Sequence, residues 1–420
     1  MSLFKYTLLG VMIIAAVVVF VACTDKTSDN PTAYYPSQEG LMWEYPLSSW
    51  GIFFSLCKDF GYLPMELYSP PGYDYTTQGR PYPTLYLLTP FRGDELYYFH
   101  HGLKEVADRL ISEGLIEPMF IVCVNGDSHL GGSFYTNSAL QGQYFTAITK
   151  DTTYSEYYAE TGTSTTGIAQ SLINSFEQYY PTLLEKENRA IGGVGMGGYG
   201  AFKISLMTDY FGSVSAVNAP LDFDGSGSGG FLALFNEAYT ASSLDDVDTS
   251  LYDPDMSLIL SAAAAFSPHY TAFNIDSVYN DAYDRVTFAY TVTDSLTDDI
   301  STYVPSVEVH VPFDASGTTV PEIWDLWMDN NIQNIYEGPD AINPAAFDDM
   351  PKFLYWSNDA RYHYSEQMQT FVQFLDDNSI TYEAKEFSGT ADYYIYHLLE
   401  DILIFHSQNF DIPEELVGKP

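Results

Sequence analysis

Arg189-Ala190-Ile191-Gly192-Gly193-Val194-Gly195-Met196-Gly197-Gly198-Tyr199-Gly200-Ala201-Phe202 runs from a short apolar strand, through a glycine turn, into a helix. The spacing predicts a strand over 190–194 and a helix over 196–207. Only small residues tolerate so sharp a strand-to-helix turn, because the helix must pass close to the strand's own backbone. In a Gly-x-Ser-x-Gly sequence the same turn exposes a nucleophilic hydroxyl on strained backbone. Every small neighbour of such an elbow is present here, but its centre, Gly195, carries no nucleophile.

Outward from this turn the chain alternates between period-2 and period-3.6 apolar patterns. Strands are expected over 63–69, 84–88 and 120–124, a helix over 103–113, and another helix over 168–180. The pattern resumes with a strand over 352–356, a helix over 365–375, a strand near 382–387 and a last helix near 398–406. Strands alternating with helices predict an α/β fold, a mostly parallel sheet flanked by helices. The segment 222–310 departs from this pattern, with the Gly/Ser tract 225–230 and acidic runs such as Leu244-Asp245-Asp246-Val247-Asp248. It reads as a cap inserted over the sheet's edge. The expected division is a leader over 1–23, a tether and lead-in over 24–59, one domain over 60–410, and a tail over 411–420.

The leader has a single charge, Lys5, before an apolar run ending in Val21-Ala22-Cys23. A short positive region, an apolar stretch and a small residue before the break describe an export signal. Cys23 at the break gives it the look of a bacterial lipoprotein signal, with Cys23 as the lipidated residue; ordinary cleavage and retention as an anchor remain the alternatives, Phe20 being unusual for the lipoprotein motif. The remaining chain is strongly acidic: the whole has 16 Lys+Arg against 56 Asp+Glu and a formal net charge of −40. Such a surface argues against nucleic acid and against an anionic membrane face as partners. Aromatic residues at 16% and apolar residues at 46% are too many for a disordered acidic chain. Cys123 lies in an apolar run and reads as a buried strand residue, and whether it pairs with Cys57 is open from sequence.

Pro70-Pro71-Gly72-Tyr73-Asp74, Tyr82-Pro83-Thr84-Leu85-Tyr86-Leu87-Leu88 and Val124-Asn125-Gly126-Asp127 are followed by Gly132-Ser133-Phe134-Tyr135-Thr136-Asn137-Ser138 and the elbow; Val311-Pro312-Phe313-Asp314 and Trp324-Asp325-Leu326-Trp327 come later. In this order and spacing the chain resembles the esterase D/feruloyl esterase-like group of α/β-hydrolases, over roughly residues 60–408. The resemblance implies hydrolysis of carboxylic esters, often on sugars, by a Ser-His-Asp triad without a cofactor. Carried across position by position, it puts Gly195 in the serine's place, Asp359 in the acid's and Ala391 in the histidine's, with the Met196 amide facing an oxyanion. It also expects His-Gly where this chain has Thr89-Pro90, and Pro90 has no N–H to give. Loss of the nucleophile or the base from such a triad removes several powers of ten in rate.

The expectation is therefore an exported, esterase-like protein without ordinary serine-esterase activity, binding a glycan or a protein at the cell envelope or assembling with itself. The alternative is an active carboxylic ester hydrolase with a non-standard arrangement. Thr89, Trp356, Tyr393 and Tyr394 are the candidate pocket residues beside the vacated triad, since rings with polar handles stack on sugars. His397 reads as a polar residue at the start of the last helix, with a displaced base as the alternative, and Gly162-Thr163-Ser164-Thr165-Thr166-Gly167 reads as a polar loop. His100-His101 lacks a partner at ligand spacing. Asp222 and Asp224, alternating before a glycine turn, resemble the start of a calcium loop, but no glutamate follows at the distance an EF-hand uses.

Overall fold

The computed structural model describes residues 41–44, 63–74, 79–128, 131–138, 141–158, 163–224, 230–241, 254–270, 307–309, 311–314, 317–358, 363–389 and 391–417. The leader, with Cys23, and Cys57 lie outside them, as do Asp359 and most of the cap from 271 onward. Eight of the described strands form one sheet: β1 (Leu41–Glu44), β2 (Met65–Ser69), β3 (Thr84–Leu88), β4 (Phe120–Val124), β5 (Arg189–Val194), β6 (Ser213–Val217), β7 (Lys352–Ser357) and β8 (Glu383–Phe387). Their order is β1-β2-β4-β3-β5-β6-β7-β8, with β2 antiparallel to both β1 and β4 and all other neighbours parallel.

This is the α/β fold expected, a mostly parallel sheet flanked by helices. The central parallel strands β3, β4 and β5 are largely apolar on both faces because both are covered. Tyr86, Leu88, Val122, Ile191, Ala216, Leu354 and Trp356 face one core. Leu85, Leu87, Ile121, Cys123, Ala190, Val217 and Tyr355, one residue out of phase, face the other. On the second face lie α1 (Leu103–Ser112), through Leu103, Val106 and Leu110, and the last helix. The first face takes α2 (Leu172–Tyr179), started by Ser171 Oγ accepting from the Asn174 amide, and α3 (Met196–Met207), which is buried over nearly its whole length. It also takes α4 (Gly230–Ala241), α5 (Pro254–Phe266), α6 (Pro321–Met328) and α7 (His363–Asp377). The last helix, α8, spans Ala391–Gln408. Among the described residues no helix is long and apolar enough to cross a membrane.

Besides helices the sequence reading did not assign, such as α4, α5 and α6, four expectations are corrected. The sheet begins at Leu41, inside the segment read as a lead-in, where β1 pairs with β2. Residues 168–169 belong not to a helix but to a hairpin, 152–158 against 163–169, so the supposed polar loop at 162–167 lies largely in a strand. Strand β6 was not foreseen, because Ser213 and Ser215 break its apolar run. Helix α8 starts seven residues before 398, which makes His397 an exposed residue within the helix rather than one at its start. Cys123 is buried in β4, and burial, followed by the nearby Glu66, holds its thiol well above the usual range.

Candidate functional site

The glycine turn is an elbow in structure as well as in pattern. Gly195 alone separates β5 from α3 and sits at φ +55°, ψ −119°, outside the regions open to residues with a side chain. Its N–H donates to Val217 O at 2.7 Å, and its carbonyl accepts from the Tyr199 amide at 3.1 Å. A Cβ on Gly197 would overlap the Leu88 carbonyl, and one on Gly193 would overlap the Gly197 backbone. At Gly195 the space is open: the nearest atoms to an added Cβ are Asn218 O and Pro90 Cβ, both at 3.8 Å. The flanking glycines are there for close approach, whereas the central one has room for a side chain.

Hydrogen bonds run from the strand beside this turn to the ends of β7 and β8. Asn218, at φ +43° just past β6, places its carbonyl beside Gly195 and accepts the Ser357 N–H on Oδ1 at 2.7 Å. Ser357 Oγ in turn donates to Gly389 O at 2.6 Å, and the Asn358 N–H donates to Phe387 O at 2.8 Å. The turn after β7 is thereby fastened to the turn before α8. Ala391 is the first residue of that helix, and Tyr393 and Tyr394 follow in its first turn; the side chains of these three lie outside the described part. The backbone thus gathers the Gly195 turn, the end of β7 and the start of α8 at one end of the parallel strands.

Comparison with known proteins accords with this geometry. The profile of the family described as "Putative esterase" matches residues 62–288, more than half of the chain. The chain belongs to this family. Among solved structures, a ferulic acid esterase superposes with a TM-score of 0.53 at 14% identity, covering 89% of this chain and 99% of the other. A fluorophosphonate-binding serine hydrolase of Staphylococcus aureus gives 0.45 at 12% identity, with 88% and 99% covered. A feruloyl esterase module from Clostridium thermocellum gives 0.43 at 14%, with 90% and 91% covered. At such identities the likeness concerns the fold.

Around the elbow of this esterase-family protein the walls are mostly occupied. Thr89 is fully buried; its Oγ1 accepts from the Gly126 N–H at 3.2 Å and lies 3.2 Å from Tyr135 Oη, so the hydroxyl ties the loop instead of lining an open pocket. The Met196 amide, in the first turn of α3, has no intrahelical acceptor by construction. The Met196 side chain is packed away, with Sδ accepting from the Phe134 N–H at 3.2 Å. Phe91 and Arg92 pack on Gly131, and the Arg92 Nη2 donates to Ser257 Oγ of α5 at 3.0 Å. Helix α5 is further held by Ser138 Oγ donating to Ala264 O, and by Gln141 Nε2 donating to Ser261 O at 3.2 Å. The described start of the inserted segment therefore lies against the loops that flank Met196. Trp356 is buried in the core of the α3 face; its indole N–H, like Asn218 Nδ2, has no hydrogen-bond partner among the described residues.

The remaining candidates do not gather at this edge. Asp222 is buried and accepts from Asn331 Nδ2 at 3.4 Å, while Asp224 is exposed. Among the described residues no group of three or more His, Cys, Asp or Glu is arranged to hold a metal, and residues 225–229 of that loop are not among them. The His101 ring lies within 2.6 Å of Tyr97 O through Nδ1, a local contact in its own turn.

Lys203 and His406 are among the buried ionisable residues that escaped the sequence reading. Lys203 of α3 donates from Nζ to Thr136 Oγ1 and to Asn330 Oδ1, the latter at 2.7 Å, beneath the rings of Tyr199 and Phe266. Burial pulls its ammonium down to about 7, with Asp340 opposing. His406 of α8 is fully enclosed, with Nδ1 2.8 Å from Ser213 Oγ and Nε2 2.9 Å from Ser215 Oγ, and burial lowers it to about 3. The signal for Lys203 was available: it is the lone charge in an otherwise apolar helix.

Proposed function

We propose that this chain is an esterase-family protein that has given up serine-triad hydrolysis and uses the edge of the sheet above Gly195 to hold a ligand, a glycan or a protein, at the cell envelope. The observation that carries the reading is the pairing of a retained elbow with an empty centre. Glycine offers no atom to attack a carbonyl, and alanine at 391 can take no proton. Nearby hydroxyls give no substitute: Thr89, Ser128 and Ser133 are buried and engaged in internal hydrogen bonds. Export, with Cys23 as the lipidated residue, rests on the leader sequence. The net charge of −40 makes neutral glycans and basic protein surfaces better partners than polyanions.

The reading is tested with an activated aryl ester and a fluorophosphonate probe. The expected outcome is no turnover above buffer and no covalent label; labelling that is lost on changing a residue at this edge would sink the proposal. The double variant Gly195→Ser/Ala391→His should then gain slow turnover of the aryl ester, since a Cβ at 195 meets nothing closer than 3.8 Å. A glycan array on the parent protein divides carbohydrate from protein ligands.

A further inference from the structure

At the amino ends of the parallel strands β3 and β5, away from the elbow at their carboxyl ends, one guanidinium has an unused edge. Arg80 lies over the ring of Tyr82, with Cζ 4.7 Å from the ring centroid, and its Nη1 donates to the Leu416 carbonyl. Nε and Nη2 are both enclosed and have no hydrogen-bond partner among the described residues. These two nitrogens share one edge of the guanidinium, whose parallel N–H groups match two oxygens of a carboxylate or phosphate.

Arg189, which opens β5 opposite Thr84, shows the same edge in use. Its Nε and Nη2 donate to Oε1 and Oε2 of Glu177, the latter at 3.0 Å. Arg109 likewise has Glu113 and Glu400 as partners. Among the described residues Arg80 has no such carboxylate, in a chain with 56 Asp and Glu. Charged donors shut away from water without an acceptor are costly, and an ion is one of the few things that accounts for them in a native structure.

A second unpartnered group stands alongside. Thr182 forms an isolated parallel bridge with Tyr82, held by the Tyr82 N–H on Pro181 O and the Leu183 N–H on Tyr82 O, each at 2.9 Å. Bridge partners project to the same side, so the Thr182 side chain stands beside the ring that carries Arg80. Thr182 is 8% exposed, and its Oγ1 is enclosed and without a partner among the described residues. We propose that Arg80 and Thr182 form a site for a small oxyanion, a carboxylate or a phosphate group. It sits across Nε and Nη2 of Arg80, with Thr182 Oγ1 donating to it and the Tyr82 ring as the floor. Burial raises the Tyr82 phenol above its usual range, against the pull of the Arg80 guanidinium, which keeps that floor neutral.

The formal charge of −40 opposes any anion from a distance. That field is screened beyond about 8 Å at physiological salt, whereas contact with the Arg80 edge is enclosed and charge-assisted. Entry is expected where Arg80 meets the tail. The turn there, closed by the Leu416 N–H on Pro413 O at 2.8 Å, is exposed at Glu414, Glu415 and Val417. Bonds to two of its carbonyls tie the tail down: Arg80 Nη1 to Leu416 O, and Asn188 Nδ2 to Asp411 O at 3.0 Å. The site stands at the far end of β5 from Gly195, so it is independent of whether the elbow is silent.

Thermal unfolding of the full chain in low-millimolar sodium phosphate or sodium acetate, each against sodium chloride at matched ionic strength, tests the site. A saturable rise in Tm with one or both oxyanions, larger than with chloride, is expected, and the one that acts identifies the group as phosphate or carboxylate. Arg80→Lys keeps the charge but not the fork, and should weaken the apparent affinity at least about tenfold. Thr182→Val should weaken it several-fold. No rise beyond that of chloride, a rise that does not saturate, or an equal affinity in Arg80→Lys would overturn the proposal. Should Arg80→Lys by itself destabilise the chain, Thr182→Val, which leaves Arg80 in place, decides by the same titration.

Discussion

Two turn-and-helix units meet at the edge of the sheet, β5 with α3 and β8 with α8, and they have kept different things. The first has a strained backbone at Gly195, flanking glycines that permit no side chain, and open space where a side chain could stand. In the second, helix α8 already begins at Ala391, the position to which the proposed reading assigns the missing base, while Gly389 at φ +108° makes the turn ahead of it. A nucleophile is thus absent from an intact mount, whereas a base would have to project from the first turn of a helix. Glycine also carries no penalty at φ +55°, where any side chain would add strain.

The sharpest test of the intact mount is Gly197→Ala. Its methyl would overlap the Leu88 carbonyl, backbone against backbone, with no flexible neighbour to yield. We expect a loss of at least about 4 kcal/mol by denaturant unfolding, or no soluble protein. A loss below about 1 kcal/mol would mean that the close approach of α3 to β3 is not a fixed feature of the fold.

The second unit is tested through His406, near the far end of α8. Burial lowers its ring from 6.5 to about 3, and two serines of β6 hold the neutral form. The unfolded chain takes up a proton below pH 6.5 that the folded chain refuses. Stability from this residue is therefore complete above pH 6.5 and falls toward pH 3, by about 1.4 kcal/mol per pH unit. His406→Gln should remove about 2 kcal/mol of the difference in stability between pH 7 and pH 5. Parallel pH profiles for parent and variant would show the ring is not buried neutral.

Much of this architecture was legible because its determinants are local. The run Thr84–Leu88, the run Phe120–Val124 and the glycine elbow each announce their element through period and turn chemistry. Strand β6 was not legible, since its alternating Ser213 and Ser215 look polar until His406, almost two hundred residues later, supplies partners for them. The hairpin of 152–158 with 163–169 was missed for the opposite reason: Thr, Ser and Gly suit both loops and strands, and only the register of the partner strand decides. In the site, the residue types at 195 and 391 could be read directly, whereas the links from Asn218 to Ser357 and from Ser357 to Gly389 arise from long-range folding. Thr89 looked like a pocket residue because sequence marks the end of β3 but not the Tyr135 ring that closes over it.

A gentler change returns to the elbow. Gly195→Ser fits the space but must adopt φ +55°, at a cost of about 1–3 kcal/mol. Gly195→Ala should cost the same within about 0.5 kcal/mol, since the strain belongs to the backbone and not to the hydroxyl. Serine markedly less destabilising than alanine in chemical denaturation would instead reveal a hydrogen-bond partner waiting at the vacated position, and the ready mount would be a polar one.

The smallest effect expected concerns Lys203, two turns along α3 from the elbow. Its ammonium is lowered from 10.5 to about 7 by burial, with neutral partners at Thr136 and Asn330. Below pH 7 the folded protein encloses a charge, and above it the folded form releases a proton that the unfolded chain keeps up to pH 10.5. Stability from this residue therefore rises with pH over that window, by about 1 kcal/mol between pH 7 and 8. Lys203→Met, similar in length and neutral, should flatten the rise while leaving α3 in place. Were the rise to persist in the variant, the charge would be compensated by more than Asp340, and the difference between the two units would lie in their turns alone, not in the ionisable residues their helices bury.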